Sequence, residues 1–372
     1  MGEDQGAAVD VIAARLLWNC LKFLSEVWMG GVKELYAAVH ARDLCCRCGA
    51  CVNLCPYLLQ VGGRIAPLLD CQLAEGRCYH YCPRTAVTAA SQTAALGTLV
   101  LPPAMARAVA PAAGQQYGGT VSALIRFALE SGRIDGAVLT AAAGLQPRSV
   151  TVRQAAQIDG CAGSKYTISP TVAEFNRSRQ EIGGRLAVVV LPCQALALRR
   201  MLAYDPAEPA WRVEPPALVI GLFCTWALDQ VSFIRMLAQR LNGNTIHRMD
   251  IPPPPSNVFQ VFTSDGRMLE LPLDDVKPHI VNACHSCPDM TAEASDISIG
   301  CVENEQDWNT LLVRTERGAE LLAAAAAAGK LEILPLATTA EAHLAEASLA
   351  KRRRAILQQA PRPQPLARQE AS

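Results

Sequence analysis

Cys45-Cys46-Arg47-Cys48-Gly49-Ala50-Cys51-Val52-Asn53-Leu54-Cys55-Pro56 carries the spacing that decides the class of this chain. Read from Cys45 it is C-x2-C-x2-C-x3-C-P, the thiolate run that holds 4Fe–4S clusters in bacterial ferredoxins. Each iron needs a thiolate. Three closely spaced cysteines beside a glycine let one turn of backbone present sulfurs to three corners of a cube. The fourth, before proline, points away and in two-cluster ferredoxins ligates the other cluster. A disulfide staple is the plainer alternative, but the complete spacing favours ligation and implies electron transfer.

Working outward, Cys71-Gln-Leu-Ala-Glu-Gly-Arg-Cys78-Tyr-His-Tyr-Cys82-Pro83 contains the end of a second such run. Gln72 and Glu75 stand where two further cysteines are expected, and Cys71, one residue early, can replace the first. By the pseudo-symmetry of two-cluster ferredoxins, Cys45, Cys48 and Cys51 share a cluster with Cys82. The second site then has Cys55, Cys71 and Cys78, with Cys46 or a non-cysteine group as fourth ligand. His80, beside these ligands, reads as a surface or supporting residue.

The 372-residue chain is long enough for two or three domains. Lys+Arg and Asp+Glu balance at 34 each, which argues against nucleic acid and anionic membrane as partners. Fifteen cysteines at metal-ligand spacings, with no secretory signal, point to iron–sulfur ligation in a reducing cytoplasm rather than to disulfides. The apolar stretch from Val11 to Val32 is broken by Arg15, Lys22 and Glu26, so no membrane span is expected.

Residues 1–40 read as one or two helices, with Ile12, Leu16, Leu17, Cys20, Phe23, Leu24 and Trp28 on one face. That face suits this protein's own core or a partner subunit; interfacial membrane contact is a third reading. A ferredoxin-like module follows over residues 41–100, with 96–111 as a linker. An α/β domain over 101–345 comes next, then a basic, partly disordered tail at 346–372 whose Lys351-Arg-Arg-Arg354 run is a solvated helix face. In the α/β domain, Gly118 and Gly119 precede a helix ending near Ser131-Gly132, a turn that lets backbone N–H groups approach an anion. Gly163-Ser-Lys-Tyr-Thr-Ile-Ser-Pro170 sets hydroxyls, an amine and a ring in a turn suited to a flavin or to an ordinary helix start.

Buried strands at Leu186–Leu191 and Ala217–Phe223 deliver Cys193 and Cys224 at their C-terminal ends, where open α/β sheets place ligands. Cys284-His-Ser-Cys287 is a half-site needing two more thiolates, and Cys193 and Cys224 supply them. Zinc needs the same count, but the upstream module favours a further 4Fe–4S cluster. His285 faces elsewhere, and Cys161 and Cys301 remain as buried thiols. Pro252 to Pro255 cannot join a central ladder. A hairpin around Ser264-Asp-Gly266 and a strand–helix unit over 311–334 complete the domain.

These motifs resemble the beta-subunit family of coenzyme F420-reducing hydrogenases and dehydrogenases. That family also includes formate dehydrogenase beta subunits and 7-hydroxymethyl chlorophyll a reductase-like proteins. The resemblance spans about residues 40 to 355. It rests on the ferredoxin run, Gln116-Tyr-Gly-Gly-Thr-Val-Ser-Ala-Leu124, Gly132-Arg-Ile-Asp-Gly136, Gly163-Ser-Lys-Tyr166, Pro192-Cys-Gln194 and Gly221-Leu-Phe-Cys224. It continues through Cys284-His-Ser-Cys-Pro-Asp289, Ala294-Ser-Asp-Ile-Ser-Ile-Gly300 and Asp307-Trp-Asn-Thr-Leu-Leu-Val-Arg314.

The resemblance implies FAD beside a 4Fe–4S cluster, with hydride exchange between the flavin and coenzyme F420 or another two-electron carrier. Gly118, Gly119, Thr120, Ser122, Ser164, Lys165 and Tyr166 become candidate flavin contacts. Cys193, Cys224, Cys284 and Cys287 become candidate ligands of the cluster nearest the flavin. With the N-terminal module the count is two or three clusters, linked to other redox subunits or ferredoxin in a hetero-oligomeric complex. No catalytic side chain is assigned. The rival readings are a ferredoxin-fed flavoprotein reductase of an organic substrate and a flavin-free iron–sulfur relay.

Overall fold

The computed structural model describes residues 31–68, 71, 76–85, 94–111, 114–142, 146–206, 208–252, 256–302 and 305–359. The helical stripe with Cys20, Gln72 and Glu75, residues 253–255 of the proline run, and residues 360–372 lie outside these. The first described residues, Gly31–Leu35 and Tyr36–His40, are helical. Val32, Leu35 and Val39 pack on Cys51, Leu58, Ile65, Cys71 and Cys78, so this part of the extension packs on the protein's own cysteine-rich module.

Eight strands form a mixed sheet in the order Leu331–Pro335, Ala104–Ala108, Glu305–Val313, Ile297–Val302, Leu218–Leu222, Leu186–Val190, Gly136–Ala141, Arg148–Val152. The four strands from Ile297–Val302 to Gly136–Ala141 are mutually parallel and the rest pair antiparallel. Leu186-Ala-Val-Val-Val190 is buried along its whole length because helices cover both faces of its sheet. Each fully buried valine contributes about 1.5 kcal/mol or more. On one face Thr120–Glu130 meets Glu316–Ala327; on the other, Thr171–Glu181 meets Pro192–Ala203. A separate three-stranded sheet, Ile246–Asp250, Val258–Thr263 and Met268–Pro272, contains the expected hairpin.

Two expectations are corrected. Residues 96–111 are not merely a linker: Ala104–Ala108 is an inner strand, paired with Leu331–Pro335 and Glu305–Val313. Its Ala-Met-Ala-Arg-Ala sequence lacks branched residues, so its register comes from partners more than 190 positions away, as in Asn309 against Ala106. The basic run is only half on a solvated face, with Arg353 and Arg354 exposed. Thr338–Gln359 is one continuous helix crossing position 345, and it buries Lys351 and Arg352 to 3% and 9% exposure.

Candidate functional site

A cavity of about 780 Å³ opens at the C-terminal ends of the parallel strands, the edge where doubly wound sheets bind ligands. Leu139 and Thr140, Val189 to Leu191, Leu222 to Cys224 and Ile299 to Val302 form its floor. Of the seven candidate flavin contacts, Gly119, Thr120, Ser122, Ser164, Lys165 and Tyr166 line it. Gly118 is outside the lining. Its place is steric, since a Cβ there would stand 2.8 Å from the Ala106 carbonyl and 2.9 Å from the Asn309 nitrogen. Gly119, at φ +66°, turns the chain into the Thr120–Glu130 helix.

Several donors expected for a ligand are already engaged. The Thr120 hydroxyl donates to the Ala106 carbonyl at 2.9 Å, and its N–H to Asn309 Oδ1 at 3.1 Å. Lys165 Nζ donates to the carbonyls of Cys161, Ala162 and Gly163 at 2.6, 2.6 and 2.7 Å. Burial lowers that ammonium to about 8, while the three carbonyls favour its charged form. Lys165 therefore offers the cavity a positive charge and an aliphatic stem, with no N–H to spare. Tyr166 and Tyr117 both adopt left-handed backbone. Tyr117 donates to Asp250 Oδ1 at 2.8 Å, and the Tyr166 hydroxyl accepts from Ile251 N–H at 3.0 Å.

The cysteines fall into three groups. Cys45, Cys48, Cys51 and Cys82, the set given by ferredoxin pseudo-symmetry, line one small void together with Cys46. Cys55 and Cys71 lie within electrostatic reach of Cys78. Cys193, Cys224 and Cys284 all lie within electrostatic reach of Cys287. Cys46 is not the missing fourth member of the Cys55 group. It lies between Cys193 and Cys48, whose hydrogen bonds hold it below its ordinary value, so it joins the first group to the third. His80 stacks on Tyr204 with centroids 4.4 Å apart.

Burial pushes Cys45 up to about 11 and Cys78, Cys82 and Cys224 up to about 12. Sulfurs so placed stay neutral unless a metal stabilises the thiolate. Among the described residues no group of three or more His, Cys, Asp or Glu is drawn together to hold a metal ion. The donor chemistry nevertheless fits an anionic cluster at the third group. Arg84 is within reach of Cys287, Cys46 and Cys193, and its Nε is buried with no hydrogen-bond partner.

Some of the site was given no role from sequence, although Tyr117, Gln194 and Asn309 lie within the quoted motifs. Tyr117, Trp226, Asn309 and Gln194 line the cavity, as do Ala340, Leu344 and Ala347 of the last helix. Lys351, on the same helix, donates to the carbonyls of Cys224 and Asp289 at 2.5 and 2.7 Å. A lysine in a run of four basic residues carries no local sign of burial. Cys161 and Cys301, read as buried thiols, instead stand on the cavity wall, Cys161 half-buried and Cys301 exposed. Cys301 pairs with Asn309 just before a register shift in its strand, at the cavity rim.

A cofactor-sized cleft at the edge of a mixed α/β sheet, backed by cysteines and joined to a ferredoxin-like module, defines a redox protein. Residues 104–174 and 183–339 match, respectively, the N-terminal and C-terminal parts of the coenzyme F420 hydrogenase/dehydrogenase beta subunit. The beta subunit of the coenzyme F420 hydrogenase of Methanothermobacter thermautotrophicus is 30% identical over 59% of this chain and 79% of its own length. A subunit of the F(420)H(2) dehydrogenase of Methanosarcina mazei is 29% identical over 76% and 82%. Coenzyme F420-dependent sulfite reductase of Methanocaldococcus jannaschii is 31% identical over 75% of this chain but 45% of its own length. A chain from a structure of the F420-reducing nickel–iron hydrogenase complex of Methanosarcina barkeri superposes with a TM-score of 0.63 at 25% identity, covering 72% of this chain and 94% of that one. The chain belongs to the coenzyme F420 hydrogenase/dehydrogenase beta-subunit family and is an oxidoreductase.

Proposed function

We propose that this chain passes electrons between iron–sulfur clusters and an FAD seated in the 780 Å³ cavity, with hydride exchange to coenzyme F420 or another two-electron carrier. The observation that carries the reading is Cys224, which lines the cavity and also neighbours Cys284 and Cys287. The cavity volume lies within the roughly 300–1,000 Å³ typical of cofactor and small-molecule clefts. A bound flavin supplies the junction between one-electron and two-electron chemistry.

The chain's own residues bind and orient. Cys193, Cys224, Cys284 and Cys287 hold the cluster at the cavity floor. Cys45, Cys48, Cys51 and Cys82 hold a second, and Cys55, Cys71 and Cys78 belong to a third site. Ser122, Ser164 and Tyr166 face the flavin, and Lys165 keeps a positive charge at the wall. In a cytoplasmic, hetero-oligomeric complex, the N-terminal module hands electrons to partner subunits or ferredoxin. Among the described residues no helix is long and apolar enough to cross a membrane.

Anaerobic purification, flavin identification and counting of iron and acid-labile sulfide test this reading. FAD with about 12 iron atoms per chain matches three clusters, and about 8 leaves the Cys71 site without a full one. Iron without flavin overturns hydride exchange.

A further inference from the structure

We infer that two buried cations, Lys351 and Arg84, hold the cysteine group at the cavity floor at a higher reduction potential than the cysteine groups of the N-terminal module. Electrons entering the chain therefore collect beside the cavity. The inference rests on the cluster reading above.

Lys351 serves the Cys224 end of the group. It is 3% exposed, and its ammonium donates to the carbonyls of Cys224 and Asp289. Arg84 serves the Cys193 end, donating to the carbonyls of Ser286 and Ala283 at 3.2 and 3.1 Å, within the segment that carries Cys284 and Cys287; it also reaches Cys82 and Cys46, so the difference between the groups rests on Lys351. Neutral carbonyls orient a cation without cancelling its charge. Two carboxylates are nearby: Asp289 lies within electrostatic reach of Lys351 and Arg314, and Glu293 of Arg314 and Arg352. Asp289 accepts from the N–H groups of Thr291 and Glu293, each at 3.0 Å, and Glu293 pairs with Arg352 at 2.7 Å.

In the N-terminal run the arrangement differs. Arg47, buried within the run, is neutralised by Asp229 at 2.5 Å, and besides it the run shares Arg84 at Cys82. A buried charge without a counter-ion is costly. Among the described residues, Lys351, Arg314, Arg352 and Arg84 face only Asp289 and Glu293 here, and that excess of positive charge at one cysteine group is explained by an anion among them, which thiolate-ligated iron supplies. One electron added to that anion raises its negative charge by one, with no proton required. Fixed cations stabilise the reduced form more than the oxidised form and so raise the potential. Lys351 also lies beyond residue 339, where the family match ends.

The test is an anaerobic dithionite titration of the full, iron-reconstituted chain, followed by electron paramagnetic resonance. The signal lost in Cys287→Ser identifies the cavity-floor cluster. In wild type it is the first to be reduced. In Lys351→Met its midpoint moves to lower potential while iron content and the other signals stay unchanged, and Lys351→Arg restores it. Arg84→Gln moves the same signal in the same direction, which keeps the inference testable should Lys351→Met lose iron. An unmoved midpoint in iron-replete Lys351→Met and Arg84→Gln overturns the inference, as does a wild-type signal reduced after the others. Absence of any signal sensitive to Cys287→Ser overturns the ligand assignment itself.

Discussion

Lys165 shows how a side chain can stand in a binding site and still have nothing to donate. Its three ammonium protons meet three carbonyls of its own loop, so it staples the cavity wall. Lys165→Met removes charge-assisted bonds worth about 1.5 kcal/mol or more each when buried. It should lower the urea midpoint and weaken flavin retention on gel filtration. Cys287 is the common neighbour of Cys193, Cys224 and Cys284. Cys287→Ser should remove about 4 iron atoms per chain and the matching visible absorbance. Cys161→Ser should leave the iron count unchanged. The cysteine spacings were legible from sequence; the commitment of Lys165 to its loop was not, because it depends on where the 161–163 carbonyls turn.

At the scale of elements, the cysteine run is fastened to the α/β domain through the helix Gln230–Leu241. Asp229 caps that helix through the Ser232 N–H at 2.8 Å and pairs with Arg47 and with Arg64 at 3.1 Å. Burial works against the charged Asp229, yet the Ser232 N–H and the Arg47 guanidinium hold it well below the ordinary carboxylate range. A carboxylate depressed in the folded state contributes stability above its unfolded value of about 3.9 and loses it as pH falls through the folded value. Asp229→Ala leaves Arg47 buried and unpaired and should cost about 3 kcal/mol at neutral pH. In thermal melts the difference from wild type should shrink steadily below about pH 4. Gly118→Ala drives a methyl against the Ala106 carbonyl. It should cost about 1–3 kcal/mol, measured by denaturant unfolding.

For the whole molecule, the cavity and the three cysteine groups follow one another from the C-terminal edge of the sheet to the N-terminal module. Ligands that bind only the folded state stabilise it by mass action. Stripping iron anaerobically with a chelator should therefore lower the melting temperature. The loss should be smaller in Cys287→Ser, which begins with one cluster fewer. Arg47–Asp229, Cys46 beside Cys193, and Lys351 beneath Cys224 join parts of the chain that lie far apart in sequence. Their loss should therefore unsettle both the module and the domain.

The sequence by itself determined the family and the main elements. Thiolate spacing is the basis of the proposed ligation, β-branched runs such as Leu186–Val190 mark buried strands, and glycine pairs mark the turns that open the cavity. These are local signals, carried by neighbours within a few residues. Only the tertiary structure decided that Ala104–Ala108 is a strand, that Cys46 turns toward Cys193, and that Lys351 is buried. Each of these depends on a partner more than 120 residues away. A poor strand former pairs, and a lysine loses its water, when remote backbone provides the hydrogen bonds, and no local pattern records that.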